Sequence, residues 1–357
     1  MWVFYVLLFV VLWGMQALMG LWLATVWPSL GGRWMAVYGP LFLTAMTLGL
    51  IGYSNVHYHV LARVGYYVAY TWFGFVFLGF CVCTFFAILY YLCGGLHITR
   101  GWMGPVSVGV LLVVWAMAVW GGFSSPKVKR IAVQIPNMPK MKIAVVADSH
   151  LGMGVSLSRF DKAMTRLEQE KPDVLFAVGD IFEYGPNRAQ YATRIRQVQT
   201  PLGTYGVLGN HEYYVGYGDS KAFFQEAGIT LLENTAAVLA NGVQVAGLKD
   251  ILTAHVTADE MAEVLASLDK SKPGILLSHT PLYAEQAAAN GVNLMLSGHT
   301  HNGQLWPFGY LVRLQFPRVY GLFDVNKMKF YITSGMFYWG IPLRFLTSAE
   351  IPIIEVN

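Results

Sequence analysis

Two histidines separated by a single threonine, His299 and His301, sit in the string GHTHNGQ at residues 298–304. Residues i and i+2 of an extended strand project to one side, and Gly298 and Gly303 free the backbone to bend around a bound group. Two imidazoles aimed at one place suggest a metal site. Four further strings carry the same chemistry upstream: Asp148 and His150 in ADSH, Asp180 in VGD, Asn210 and His211 in GNHE, and His279 in LLSH. The donors are oxygen and imidazole, with no thiolate, a set suited to Mn²⁺, Fe or Zn²⁺ rather than Cu(I) or a cluster. They are too many for one catalytic ion, which takes about three protein ligands plus solvent. Two divalent ions about 3.5–4 Å apart, sharing one carboxylate and one hydroxide, would use them all. Of the nine histidines, six lie beyond residue 147 and five of those are in these strings, which a scatter of structural histidines would not produce.

Each string closes a strand-like run. KIAVVAD (142–148), VLFAVGD (174–180), TYGVLGNHE (204–212), ILLSH (275–279) and NLMLSGH (293–299) are short apolar stretches that end in a candidate ligand. Helical stretches intervene at 158–170, where Phe160, Met164 and Leu167 fall at helical spacing, and at 187–199, 219–227 and 258–268. Asn241-Gly242 marks a hairpin. This alternation predicts an α/β sheet whose crevice lies at the strand carboxyl ends. Glu212 and Asp250 read either as groups that orient ligand imidazoles or as surface or structural carboxylates. Tyr213 and Tyr214 follow the GNHE string, where packing and substrate contact are equally open. Arg188, Arg194 and Arg196 read as a solvated helix face, and His255 as a surface residue.

The part that precedes these strings is of another kind. No Asp or Glu occurs before Asp148; residues 1–147 carry eight basic side chains, and residues 148–357 carry 16 basic against 20 acidic. Apolar runs at 2–27, 34–54, 66–93 and 103–123 are each long enough to cross a hydrocarbon core, which needs about 20 helical residues. Arg33, Arg63 and Arg100 fall in the gaps. Trp27, Trp34, Tyr53, Tyr66, Tyr67, Tyr90 and Tyr91 fall near the ends, as an aromatic belt does. The first run is too long for a signal peptide, and three more follow it. Cys81, Cys83 and Cys93 all lie inside one apolar run and read as packing. The expected organisation is a transmembrane domain over 1–125, a basic linker over 126–141 and a catalytic domain over 142–357. Residues 124–141 hold three prolines and read as that linker or as an edge strand. Lys127, Lys129, Arg130, Lys140 and Lys142, with no acid among them, read as cytoplasmic. Both termini are then expected inside, on the inner membrane of a cell, and the cluster either touches anionic headgroups or is simply solvated.

In their order and spacing, DSHLG, GD, GNHE, SH and GHTHNGQ resemble the motifs of the calcineurin-like metallophosphoesterases over all of 142–357. The tail TSGMFYWGIPLRFLTSAEIPIIE is similar to the end of a membrane-associated bacterial branch that includes the UDP-2,3-diacylglucosamine pyrophosphatases. The resemblance implies a four-layer α/β/β/α sandwich and a dinuclear centre. It implies that Asp148, His150 and His301 hold one ion, that Asn210, His279 and His299 hold the other, and that Asp180 bridges them. His211 would hold no metal but would face the phosphate as a charge stabiliser or acid. Asn302 stands where many relatives have Gly; Asn tolerates φ > 0, so the turn is expected to survive.

The activity implied is hydrolysis of a phosphodiester, pyrophosphate or phosphomonoester by in-line attack of a hydroxide shared by two cations, which is available near neutral pH. A lipid-linked substrate is favoured because the chain is anchored where such substrates lie. The rivals are a tethered hydrolase of soluble nucleotides or signalling phosphodiesters, and a membrane receptor or scaffold with a non-catalytic module. Against the latter, the spans contain no Asp, Glu or Lys that would mark an ion path, and the ligand set is intact. No nucleic acid is expected as substrate, because the second part is net acidic. LWPFGYLVRLQF (305–316) and MFYWGIPLRFL (336–346) are expected to form an apolar rim facing the bilayer, with Arg313 and Arg344 near phosphate headgroups. Burial into the sheet or against the helices is the alternative.

Overall fold

The computed structural model describes residues 2–28, 33–93 and 97–357; the side chains of Arg33, Trp34 and Arg100 lie outside the described part. The chain divides into two compact units, Met1–Phe123 with Gly340–Phe345, and Ser124–Trp339 with Leu346–Asn357.

The first unit is helical: α1 (Trp2–Val26), α2 (Arg33–Val56), α3 (Val60–Leu92) and α4 (His97–Phe123). All four are long and apolar enough to cross a membrane. The third and fourth start upstream of the expected positions, because a basic residue that reads as a loop lies in or near the first turns. His59 caps α3 by accepting the Ala62 N–H at 3.4 Å. Two polar bonds cross between helices: Gln16 Nε2–H donates to Thr44 Oγ1 at 2.8 Å, and Trp22 Nε1–H to Ser107 Oγ at 3.0 Å, while Thr47 and Ser54 donate to carbonyls of their own helix. Bonds between helices, together with small residues at crossings, hold helices together where lipid offers no hydrophobic drive.

Gly340–Phe345 belongs to this helical unit. Tyr66 Oη–H donates to Gly340 O at 2.7 Å, and Arg344 N–H to Ala118 O at 2.9 Å. Gly121 and Gly122 make the approach: a Cβ on Gly122 would stand 2.1 Å from Pro342 O, and one on Gly121 2.3 Å from Arg344 O. The expectation for 336–346 is therefore corrected in part. Arg344 is 1% exposed, and Met336, Phe337, Tyr338 and Leu343 are buried; only Trp339 and Leu346 remain as exposed large apolar side chains.

The second unit runs β1 (Lys127–Val133), β2 (Met141–Val146), α5 (Leu157–Gln169), β3 (Val174–Val178), α6 (Arg188–Arg196), β4 (Thr204–Val207), α7 (Asn210–Val215), α8 (Tyr217–Glu226) and β5 (Thr230–Leu231). It continues with β6 (Thr235–Val238), β7 (Gln244–Gly247), α9 (Ala258–Ala266), β8 (Gly274–Leu277), α10 (Ala284–Ala289) and β9 (Leu294–Ser297). It ends with α11 (Gly309–Gln315), β10 (Gly321–Val325), β11 (Met328–Ile332) and β12 (Glu350–Val356). Two six-stranded sheets form, in the orders β1-β12-β2-β3-β4-β5 and β10-β11-β9-β8-β7-β6.

Side-chain alternation builds the layers. Ile143 and Val145 of β2 meet Ile275 and Leu277 of β8 in the core between the sheets. Ala144 and Val146 face the other way, toward Phe160 of α5, Tyr191 of α6 and Phe223 of α8. On the far face of the second sheet, Leu276 and Met295 pack on Met261 of α9 and Ala287 of α10. The result is the four-layer α/β/β/α arrangement. Strands buried on both faces read as unbroken apolar runs, which is why β2, β3, β8 and β9 are legible as strands.

Of the two readings for 124–141, a linker or an edge strand, the structure shows the edge strand: β1 lies at the end of its sheet, paired in parallel with β12 from Lys127↔Glu350 to Val133↔Val356. Ile131 and Val133 turn inward while Lys127 and Arg130 stay exposed. Two members of its basic cluster are engaged by acids: Arg130 Nη2 lies 2.7 Å from Glu170 Oε1, and Lys129 Nζ 3.9 Å from Glu350 Oε2.

Replacing Gly122 by Val should overpack the notch that receives Pro342 and Leu343. A stability loss of about 1–3 kcal/mol is expected as a lower midpoint in thermal unfolding of the detergent-solubilised protein. An unchanged midpoint would mean that the segment is not held there.

Candidate metal centre

Five parallel strands end at one place. Asp148 and His150 follow β2, Asp180 follows β3, Asn210 and His211 follow β4, His279 follows β8, and His299 and His301 follow β9. The loops after β2 and β3 run on side by side past the sheet: His150 N–H donates to Asp180 O at 3.0 Å, Leu151 pairs with Phe182, and Glu183 N–H donates to Leu151 O at 3.0 Å. A long chain-contiguous platform thus presents alternate side chains to the centre.

The sequence-assigned residues fall into two groups. Donor atoms of Asp148, His150 and His301 lie within 4.8 Å of one another, as do those of Asp180, His279 and His299. In the first, His150 Nε2 is 3.0 Å from His301 Nε2, which is 3.5 Å from Asp148 Oδ1. In the second, His299 Nδ1 is 2.9 Å from Asn210 Oδ1 and 3.3 Å from His279 Nε2. Asp180 Oδ2 stands between them, 3.9 Å from His150 Nε2 and 3.2 Å from His279 Nε2. Donors held about 2.1 Å from one cation stand about 3.0 Å apart at right angles and about 3.4 Å apart at tetrahedral ones. The observed spacings fit a cation in each group.

The Nδ1 atoms of His279, His150 and His211 have partners of their own. His279 Nδ1–H donates to Val178 O at 2.9 Å, leaving Nε2 as the donor that faces the centre. His150 Nδ1 lies 2.8 Å from Glu183 Oε1, and His211 Nδ1 lies 2.9 Å from the same oxygen. Such outer contacts fix the tautomer and ring angle of a ligand. Glu183 is the residue that the sequence reading missed. Its signal was its place three residues after Asp180; only the pairing of the two loops shows that it turns back onto His150. Of the two readings for Glu212 and Asp250, the hydrogen bonds favour structural carboxylates. Glu212 accepts backbone N–H groups from Asp180, Ile181, Phe182 and Gly209 at 2.7–3.0 Å. Asp250 accepts from Thr280 Oγ1 and Thr253 N.

The backbone is bent hard at the ligands. Asp148, His150, Asp180, His299 and His301 all have φ between 42° and 73°, a region that non-glycine residues visit rarely. Asn302 lies there too, with φ 53°, so the turn expected at this position is made. Glycine is needed where ligands press on the backbone: a Cβ on Gly298 would stand 2.4 Å from Asp148 Oδ2, and one on Gly209 2.3 Å from Asp180 Oδ1.

Asp148 is 0% exposed, and burial pushes its carboxyl up to about 6. Asp180, although burial opposes its charge, is held well below the usual carboxylate range by the imidazoles of His279 and His211. Burial also opposes a charge on His211, but the Asp180 and Glu183 carboxylates outweigh it and push the imidazole up to about 9. A protonated His211 beside a dense donor cluster is suited to meeting negative charge on a bound anion. Its ring is edged by Tyr214 and Trp339, each with centroid 5.4 Å away.

Comparison with known proteins agrees. The family model described as calcineurin-like phosphoesterase matches residues 141–303. An uncharacterised metallophosphoesterase of Aquifex aeolicus is 35% identical over 65% of this chain and 92% of its own length. The chain belongs to the calcineurin-like phosphoesterases. An uncharacterised metallophosphoesterase of Campylobacter jejuni is 35% identical over 65% of this chain, but the match spans only 64% of that protein. A Bos taurus protein named as a transmembrane protein with a metallophosphoesterase domain is 31% identical over 69% of this chain and 60% of its own. The family is one of dinuclear divalent-metal phosphoesterases, and this chain joins its family domain to four helices long and apolar enough to cross a membrane.

Removing Glu183 should loosen His150 and His211 while leaving Asp148, Asp180, Asn210, His279, His299 and His301 in place. Glu183→Ala is expected to lower metal affinity roughly 10–100-fold, read by equilibrium dialysis with elemental analysis. Affinity equal to that of the unaltered protein would mean that Glu183 does not orient His150.

Proposed function

We propose that this membrane protein hydrolyses a phosphodiester, pyrophosphate or phosphomonoester whose leaving or retained group is lipid-linked. In this reading Asp148, His150 and His301 would hold one divalent cation, Asn210, His279 and His299 would hold a second, and Asp180 would be shared between them. When bound, the two cations supply an activated water nucleophile and neutralise charge on the phosphoryl oxygens. Asp180 keeps the two groups in register: its Oδ1 accepts the His211 N–H at 2.9 Å while Oδ2 faces both sets of imidazoles. His211 then sits where it can stabilise the phosphoryl charge or give its proton to the leaving oxygen. Glu183 holds the opposite edge of that imidazole and so sets its angle.

The observation that carries the hydrolase reading is the convergence of donors from five strand ends, with the His211 imidazole beside them. The observation that supports a lipid-linked substrate is the rim. Trp339 is 54% and Tyr214 69% exposed, although both rings lie against His211. Aromatic faces left open beside a phosphate site suit a substrate with a large apolar part. The chain's four apolar helices put such substrates within reach. We place the protein in the inner membrane with its catalytic unit on the cytoplasmic side, in keeping with the basic residues that follow α4.

His211→Ala is expected to lower Mn²⁺-dependent turnover of bis-p-nitrophenyl phosphate by about 10²–10⁴-fold, and Asp180→Asn to abolish it. Absence of metal-dependent turnover by the unaltered protein on any phosphoester would overturn the reading. The substrate class is tested separately. Trp339→Ala with Tyr214→Ala should reduce kcat/KM for a phosphodiester bearing two acyl chains more than for the aryl diester. Equal losses would remove the lipid part and favour a soluble substrate.

A further inference from the structure

The residues that follow His301 present apolar side chains to the outside from a rigid base. Leu305 and Phe316 are buried, and Phe316 packs edge-on to His299 with centroids 5.1 Å apart. Thr300 Oγ1–H donates to Val319 O at 2.6 Å, and Gly303 lies so close to Gly309 that a Cβ would stand 2.4 Å from its Cα. Between these anchors, α11 buries none of its side chains. Trp306, Phe308, Tyr310, Leu311 and Leu314 are exposed, Leu314 to 83%. A fixed loop that holds five large apolar groups outward is unusual for a face that meets only water.

The charge of this segment is as one-sided as its hydropathy. From His301 to Phe323 it contains Arg313 and Arg318 and no acid. Residues 148–357 as a whole carry 20 acids against 16 basic side chains, so the segment departs from the half to which it belongs. Arg318 is paired with Glu285 at 2.7 Å. Arg313 is exposed and lies 5.8 Å from the Tyr310 ring. Trp and Tyr mixed with Leu and Phe, a cation within the patch and no carboxylate match the surface of a bilayer that contains anionic lipid. The same chain carries four helices able to span such a bilayer, so that surface lies within reach by tether alone.

We propose that Leu305–Gln315 is a membrane-surface contact, with Phe308, Leu311 and Leu314 at the acyl boundary and Arg313 at the phosphate layer. The contact goes beyond the hydrolase reading, because a docked face would serve a lipid-linked or a soluble substrate alike. Its base is built on His299 and His301, so docking holds the donor cluster at a set distance from the headgroups.

The test uses the full-length protein in vesicles of phosphatidylethanolamine and phosphatidylglycerol. The three native cysteines are replaced by Ala, and a spin label is attached through Leu311→Cys or Leu314→Cys, with Glu263→Cys on exposed α9 as the reference. Power-saturation measurements should show labels at 311 and 314 colliding more with oxygen than with an aqueous nickel chelate, and the label at 263 the reverse. Repeating the measurement with Asp180→Asn should give the same collision pattern, since no turnover is read; failure of the docking idea and failure of the hydrolase reading are therefore distinguishable. Nickel access at 311 and 314 equal to that at 263 would overturn the proposal. Shielding from both reagents, with dipolar broadening between labels on two chains, would also overturn it, because the occupant would then be a second copy of the protein.

Discussion

The buried carboxylate of Glu212 is the interaction on which the centre depends. Its two oxygens accept four backbone N–H groups, three from the turn after β3 and one from Gly209 before α7. Each donor would otherwise be left unmet in the interior, at about 1–3 kcal/mol apiece. The bonds fix the turn at Asp180 against the turn at Asn210. Burial and the nearby Asp180 charge push the Glu212 carboxyl up to about 7, while the N–H groups from Phe182 and Gly209 pull the other way. Cations in the centre would offset the repulsion between the two carboxylates and so tighten the same clamp. Metal binding and loop order are in this way one equilibrium.

A centre of this kind needs ligands from both sheets, and the layers decide how they meet. The interleaved core sets the two sheets at a fixed separation, with Val145 and Phe176 from one side against Ile275 and Leu296 from the other. The carboxyl ends of β2, β3 and β4 then open toward those of β8 and β9. Straight strands would carry their side chains past one another. The left-handed turns at Asp148, His150, Asp180, His299 and His301 bring them back to a point. Such conformations cost on the order of 1–3 kcal/mol each and persist only where the surroundings overdetermine them. Here they are overdetermined by backbone pairing beyond the strands and by glycines that leave no room for a shift.

Much of this was legible in the residues, for a physical reason. A strand buried on both faces has only one place for a polar ligand, which is just past its end, so runs such as VLFAVGD announce both strand and ligand. Ser156 and Thr257 cap α5 and α9 with side chains that accept the N–H of Arg159 and Glu260, and those helices were expected within a residue or two. What escaped depends on contacts distant in the chain. The choice between linker and edge strand at β1 stays open in the sequence because its partner, β12, lies more than two hundred residues away. Glu183 matters because two loops run parallel. Asn210 and His211 open a helix, α7, although their string reads as the end of a strand. The loop at 336–346 reads as one aromatic rim, yet it is divided between the two units because Gly121 and Gly122 admit its backbone.

Charge is sorted between the units with the same economy of means. All 20 acids lie at or beyond Asp148, where carboxylates are needed to hold cations and to clamp turns. The helical unit, including Gly340–Phe345, contains arginines and no acid. Arg344 is nevertheless buried in it, and its backbone meets the last turns of α4 at Ala118 and Gly121. The sorting keeps carboxylates out of helices long and apolar enough to cross a membrane, where an ionised acid would be costly to desolvate.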